Sequence, residues 1–157
     1  MAENIGRSES EGRLLAALAH GSIVAQGLGV IVGVLVYVTQ RDKSRYAAFQ
    51  GLQAAVYQLI SLVLVVGLWF LWGIFYALTW IPLIPQMEAS PDAAPPPIFW
   101  VGIGSMAIPL ALMAIVGLYG LWGALRCWQG RDFRYAVVGR LLERSGLWQG
   151  EPPAPAG

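Results

Sequence analysis

Apolar residues run almost unbroken over three stretches, Leu14 to Val38, Ala47 to Ile84 and Ile98 to Leu125, with polar residues gathered between and beyond them. Each is long enough to read as a membrane helix, since about 18 apolar residues with few charges suffice to cross a bilayer. The middle stretch exceeds that need. As one α-helix, Ala47 to Ile84 would extend about 57 Å, nearly twice the ~30 Å hydrocarbon core, and from Tyr46 to Met87 it contains no Asp, Glu, Lys, Arg or His. Its first half carries polar side chains at Tyr46, Gln50, Gln53, Tyr57 and Ser61, a spacing that stacks them on one helical face. The pattern therefore predicts a helix that starts near the interface around Ala47, spans from about Tyr57 to Trp80, and stops at Pro82 and Pro85.

The other elements follow in the same way. Residues 1–13 read as a mobile polar tail, 14–147 as a single membrane domain with spans at about 14–38, 57–80 and 98–125, and 148–157 as a second disordered tail. A cleaved signal peptide is not expected, because the first apolar run is too long and no small-residue cleavage pattern closes it. Pro109 predicts a kink in the third span. Within that span Ala111, Ala114, Gly117, Gly120 and Gly123 form a broad thin face, and in the first span Ala17, Gly21, Ala25, Gly29 and Gly33 recur every fourth residue. A small-residue row of that kind lets another helix approach closely in lipid.

Composition and charge fit this class. The chain has 157 residues, of which 57% are apolar and 12% charged, against about a quarter charged in soluble proteins. The expectation is an all-α polytopic membrane protein with three transmembrane helices, the second of them long, and a short interfacial helix within Phe133 to Leu142. A net charge of +1 offers no basic excess for nucleic acid, and the single cysteine, Cys127, forms no disulfide within the chain and no cysteine-cluster metal site. Arg41, Lys43 and Arg45 in the first loop, and Arg126, Arg131 and Arg134 after the third span, are read as cytoplasmic anchors, while the loop around Glu88 and Asp92 has no base. That distribution favours three spans over four, and it predicts the N-terminus outside and the C-terminus in the cytoplasm of a bacterial plasma membrane.

Catalytic chemistry is not expected. No Asp, Glu, Lys or Arg lies inside a span, no glycine loop suits a nucleotide, and Ser105 lacks the nucleophile-elbow pattern. His20 is the one residue that could ligate a pigment, haem or metal, but the sequence supplies no second ligand, so neither cofactor nor metal is expected. The polar stripe is read either as solvated at the interface or as the wall of a cytoplasm-facing cleft with Gln53 and Tyr57 deepest.

Three motifs carry a resemblance: AALAHGS in the first run, QRDKSRYAAFQGLQAAVYQLI leading into the second, and GALRCWQGRDFRYAVVGRLLER after the third. Together the chain resembles a family of small bacterial multi-span membrane proteins of uncharacterised function, itself similar to the chloroplast inner-envelope protein-import translocon component. The resemblance implies a helical bundle that assists passage or positioning of a polypeptide or solute. The alternative is a non-catalytic accessory subunit that packs against a larger energy-transducing or transport complex. Either reading makes the bilayer and other membrane helices the partners.

Overall fold

In a computed structural model the chain is all-helical, with no strand among the described residues, which are 2–145 for the backbone and 9–145 for side chains. The helices are α1 (Ala2–Gly21), α2 (Gly27–Gln40), α3 (Arg45–Trp80), α4 (Ile84–Ala89), α5 (Pro97–Ser105), α6 (Ala107–Trp128) and α7 (Val138–Arg144). Residues 2–13, expected as a tail, are the first turns of α1; the predicted C-terminal tail lies outside the described residues. Two compact units divide the chain, one made of residues up to Leu62 and from Val116, the other of Val63–Ile115.

The first predicted span is not one helix. A 3-10 turn at Ser22–Ala25 and a positive φ of 50° at Gln26 reverse the chain between α1 and α2. Contacts all along the pair define an antiparallel hairpin: Gly12 faces Ser44, Leu15 and Ala19 pack with Val36, and Ser22 Oγ lies 3.3 Å from the Gly29 carbonyl. The reversal strands the last carbonyls of α1, and side chains satisfy them. Ser22 Oγ donates to Ala19 O at 2.8 Å, and Gln58 Nε2 donates to the same oxygen at 2.8 Å. At 14 residues, α2 reaches only about 21 Å, short of a bilayer core.

The hairpin lies against α3 and α6 in the first unit. Going along α2, Gly29 meets Gln58, Gly33 meets Ala55, and Tyr37 meets Gly51, so α2 and α3 are antiparallel. On the other side Ile23 sits on Gly120, Gly21 faces Ala124, and Arg13 covers Gly130. Residues 12–13 of α1, the 41–45 loop and the turn after α6 therefore share one end of this unit. The charge pattern predicts the N-terminal segment and the Arg41–Arg45 loop on opposite sides of a membrane; in the structure a Cβ on Gly12 would stand 3.3 Å from Ser44 Oγ, so residues 12 and 44 are neighbours at one end of the hairpin. Among the described residues two helical stretches, Arg45–Ala89 and Pro97–Trp128, are long and apolar enough to cross a membrane.

Pro82 and Pro85 end α3 at Trp80, as expected, but the chain stays helical beyond it as a 3-10 turn at Ile81–Leu83 and then α4, because each proline occupies a first-turn position where no N–H is needed. Pro109 produces its break earlier, at Met106 between α5 and α6. Its ring cannot tolerate the carbonyl four residues back, and it has no N–H to give it. In the second unit Trp72 Nε1 donates to Ser105 Oγ at 3.0 Å, and Trp72, Tyr76, Trp80 and Phe99 form a continuous ring stack.

Candidate functional site

Polar side chains are the costly guests in so apolar a molecule, and in the first unit they converge on one buried cluster. Just past the end of α6 at Trp128 stands Gly130, whose φ of +75° is the left-handed conformation that glycine accepts readily. Arg131 N–H then bonds Arg126 O across the end at 3.0 Å, and the chain crosses α1 and α3 as an irregular segment before α7. That crossing segment delivers Asp132, Phe133 and Tyr135 to the polar face of α3.

Gln50 and Gln53, both 0% exposed, receive it. Gln50 Nε2 donates to Asp132 Oδ1 at 3.0 Å and to the Phe133 carbonyl at 3.0 Å. Gln53 Nε2 donates to the same carbonyl at 3.0 Å and to Gln50 Oε1 at 3.1 Å, while Gln53 Oε1 accepts the Tyr135 backbone N–H at 3.2 Å. These donations fix both amide orientations. Gln50 Oε1 is an acceptor, so the His20 Nε2 that approaches it at 2.9 Å carries the proton. A neutral His20 then accepts at Nδ1 from the Tyr135 hydroxyl, 3.1 Å away. Burial pushes the Tyr135 phenol up from its ordinary value, which keeps that donor protonated.

Aromatic rings close the cluster. Tyr135 stacks on Tyr57 with centroids 3.8 Å apart, Tyr119 packs edge-on against both, and Phe133 meets His20 edge-to-face. Phe133 can lie so deep because its partner on α6 is Gly123, where a Cβ would come within 2.7 Å of the ring. At the surface Arg134 pairs with Asp132 at 3.0 Å and Glu143 at 2.6 Å, tying the crossing segment to α7.

The predicted stripe is thus brought together, but as protein interior. Gln50 and Gln53 are neither solvated nor a cleft wall, since every amide atom of theirs meets protein. Tyr57 is half-buried and donates to Val116 O at 3.0 Å; Ser61 is buried beside its hydroxyl, and the Tyr46 hydroxyl is buried near the Cys127 thiol. Both ring nitrogens of His20 are engaged by side chains, so a cofactor there would have to displace Tyr135 or Gln50. Of the predicted small-residue row, Gly29 and Gly33 form the α2–α3 seam and Ala17 is buried, whereas Gly21 is half-buried facing Ala124 and Ala25 is exposed in the turn. The row is split because its helix is split. Among the expected anchors Arg41, Lys43, Arg45 and Arg131 are exposed, Arg126 lies 5.9 Å over the Trp122 ring, and Arg134 is committed to its two ion pairs. Sequence reasoning missed Gln58, Asp132 and Tyr135 as members of the polar interior; the unusual polarity of Gln58 inside a charge-free run was the available signal.

The three motif stretches singled out in the sequence are the ones that meet here: His20 from the first, Gln50 and Gln53 from the second, Asp132 to Tyr135 from the third. Residues 11–142 match the magnetosome magnetite crystal formation protein family, MamF/MmsF. The chain belongs to that family. The match covers the hairpin, both long apolar stretches and the crossing segment, so the whole cluster falls inside the MamF/MmsF region. It also corrects the resemblance drawn from the motifs, because nothing found supports similarity to the chloroplast import component; the feature that suggested a conduit, the glutamine stripe, is sealed inside the protein. No curated protein and no solved structure matches the chain.

Proposed function

We propose that this MamF/MmsF protein is a small, non-catalytic integral membrane protein whose role is the one in its family's description, magnetosome magnetite crystal formation. The observation that carries the non-catalytic reading is the closed cluster: its polar groups are spent on one another, leaving no nucleophile, base or ligand set directed at a substrate. Its immediate partner is the bilayer, which the exposed apolar residues of α2, α3 and α6 suit, and helices of other membrane proteins can pack on the same faces. The membrane is a bacterial inner membrane or the magnetosome membrane the family is named for. In a magnetite-forming bacterium stripped of its own family member, expression of this chain is expected to restore crystal size, read by electron microscopy. Crystals that stay unaltered on loss of the family member would remove the role.

The membrane arrangement belongs to the same proposal. Two spans cross, α3 with its continuation and α5 with α6, while α1 and α2 dip in and return as a re-entrant hairpin. Irregular backbone at the hairpin tip is tolerable there because Ser22 and Gln58 satisfy it. By the positive-inside rule the end that bears Arg41, Lys43, Arg45 and Arg131 faces the cytoplasm, and the N-terminus lies with it. Cys127 is buried and a poor native probe. In a Cys127→Ser background, Glu11→Cys, Lys43→Cys and Arg131→Cys are all expected to resist an impermeant thiol reagent in intact cells and to react after permeabilisation. Labelling of Glu11→Cys alone in intact cells would restore a crossing first helix.

A further inference from the structure

A groove of about 770 Å³ opens between α1, α2 and the C-terminal end of α6, lined among others by Leu14, Ala17, Gly21, Val32, Ala124 and Trp128. Its floor is low because Ala17, Gly21 and Ala124 have no bulk to fill it, and even a Cβ on Gly21 would meet nothing nearer than Ala124 at 3.7 Å. The one hydroxyl in the lining, Ser22, is already spent on Ala19 O. This volume lies in the range of ligand pockets, and a surface so apolar gains nothing from a polar occupant.

The groove does not end in lipid-like surroundings. A second recess of about 380 Å³ shares Leu14 and Trp128 with it and adds Ser10, Glu11 and Arg13. An apolar slot thus runs directly into a mouth that carries one cation and one anion. Glu9 approaches Arg13 at 4.0 Å with the two side chains 65% and 46% exposed, a pairing of little strength, so the guanidinium can take another acceptor. An anionic headgroup at this mouth would meet the carboxylates of Glu9 and Glu11 as well as Arg13. A zwitterion whose phosphate faces Arg13 and whose ammonium donates to Glu11 turns the carboxylate that lines the mouth from a conflict into a partner.

We propose that this groove is a phospholipid site, with an acyl chain along Ala17, Gly21 and Ala124 and an ethanolamine-type headgroup held between Arg13 and Glu11. Phosphatidylethanolamine suits it better than phosphatidylcholine because its ammonium has N–H donors for the carboxylate. The site rests on the membrane placement proposed above, which the cysteine map tests separately.

The test uses the full chain in nanodiscs of equal parts phosphatidylethanolamine, phosphatidylglycerol and phosphatidylcholine, with retained lipid counted by native mass spectrometry. One ethanolamine lipid per protein is expected, enriched roughly tenfold, the ratio one charge-assisted hydrogen bond supports. Gly21→Leu, whose Cβ has room, should fill the slot and lose the retained lipid of every class. Glu11→Gln should keep a lipid but shift the choice toward phosphatidylglycerol. Retention without headgroup preference, preference for phosphatidylglycerol by the unaltered protein, or retention untouched by Gly21→Leu would each overturn the proposal. So would ready disulfide crosslinking of Gly21→Cys between two copies, which would assign the groove to a second molecule of this chain. A normal cysteine map alongside any of these would leave the two-span reading standing.

Discussion

Gln50→Leu is expected to destabilise the protein by on the order of 3 kcal/mol, seen as a lower midpoint of thermal unfolding in mild detergent, with loss of folded protein in the membrane. The partners of Gln50 do not suffer equally. Phe133 O keeps Gln53 as a donor, Asp132 keeps Arg134, and Gln53 Nε2 keeps Phe133 O, so these groups lose only a modest net contribution each. His20 is different. Its Nε2 bonds Gln50, the ring is 0% exposed, and an orphaned buried donor costs roughly 1–3 kcal/mol by itself. Isosteric loss of the amide cannot be repaired by water, because rings of Phe133, Tyr135 and Tyr57 close the space. Gln53→Leu should be costly for the same reason, since it strips the acceptor from the Tyr135 backbone N–H. An unchanged midpoint for Gln50→Leu would mean that the crossing segment is held by ring packing and not by the polar cluster.

Gly33→Ala is expected to weaken the fold by about 1–3 kcal/mol, the range for overpacking a tight core, although alanine is the better helix former. A Cβ on Gly33 would stand 2.8 Å from Ala55 N and 3.0 Å from Ala55 Cα. Those are backbone atoms of α3, so relief requires moving one helix away from the other. Gly29→Ala should behave alike, since its Cβ would run into the Gln58 side chain and the Ser22 carbonyl. The contrast is with Gly67→Ala and Gly117→Ala, where nothing lies within 4 Å and helix propensity alone predicts a neutral or slightly stabilised protein. Thermal midpoints measured together in one detergent separate the groups. Equal midpoints across all four variants would remove the α2–α3 seam as a close-packed contact.

The class of molecule and the inventory of its unusual groups were legible in the linear pattern of residues. Charge-free apolar runs require helices in lipid, since only a helix pairs all its backbone groups within one segment. The spacing of Gln50, Gln53 and Tyr57 alone puts them on one face of α3, and Gly29 and Gly33 announce a close helix contact. Where each face turned was set by packing between segments distant in the chain. Whether the first run crosses or doubles back depends on whether the Ala19 carbonyl and the turn at Ser22–Gln26 find partners, and beside the local Ser22 hydroxyl the partner is Gln58, far along the chain. Whether the glutamine stripe meets water or protein depends on Gly130 turning the chain just past α6 and sending Asp132 to Tyr135 across it. A linear pattern records that a polar face must be satisfied, but the group that satisfies it is chosen by the fold.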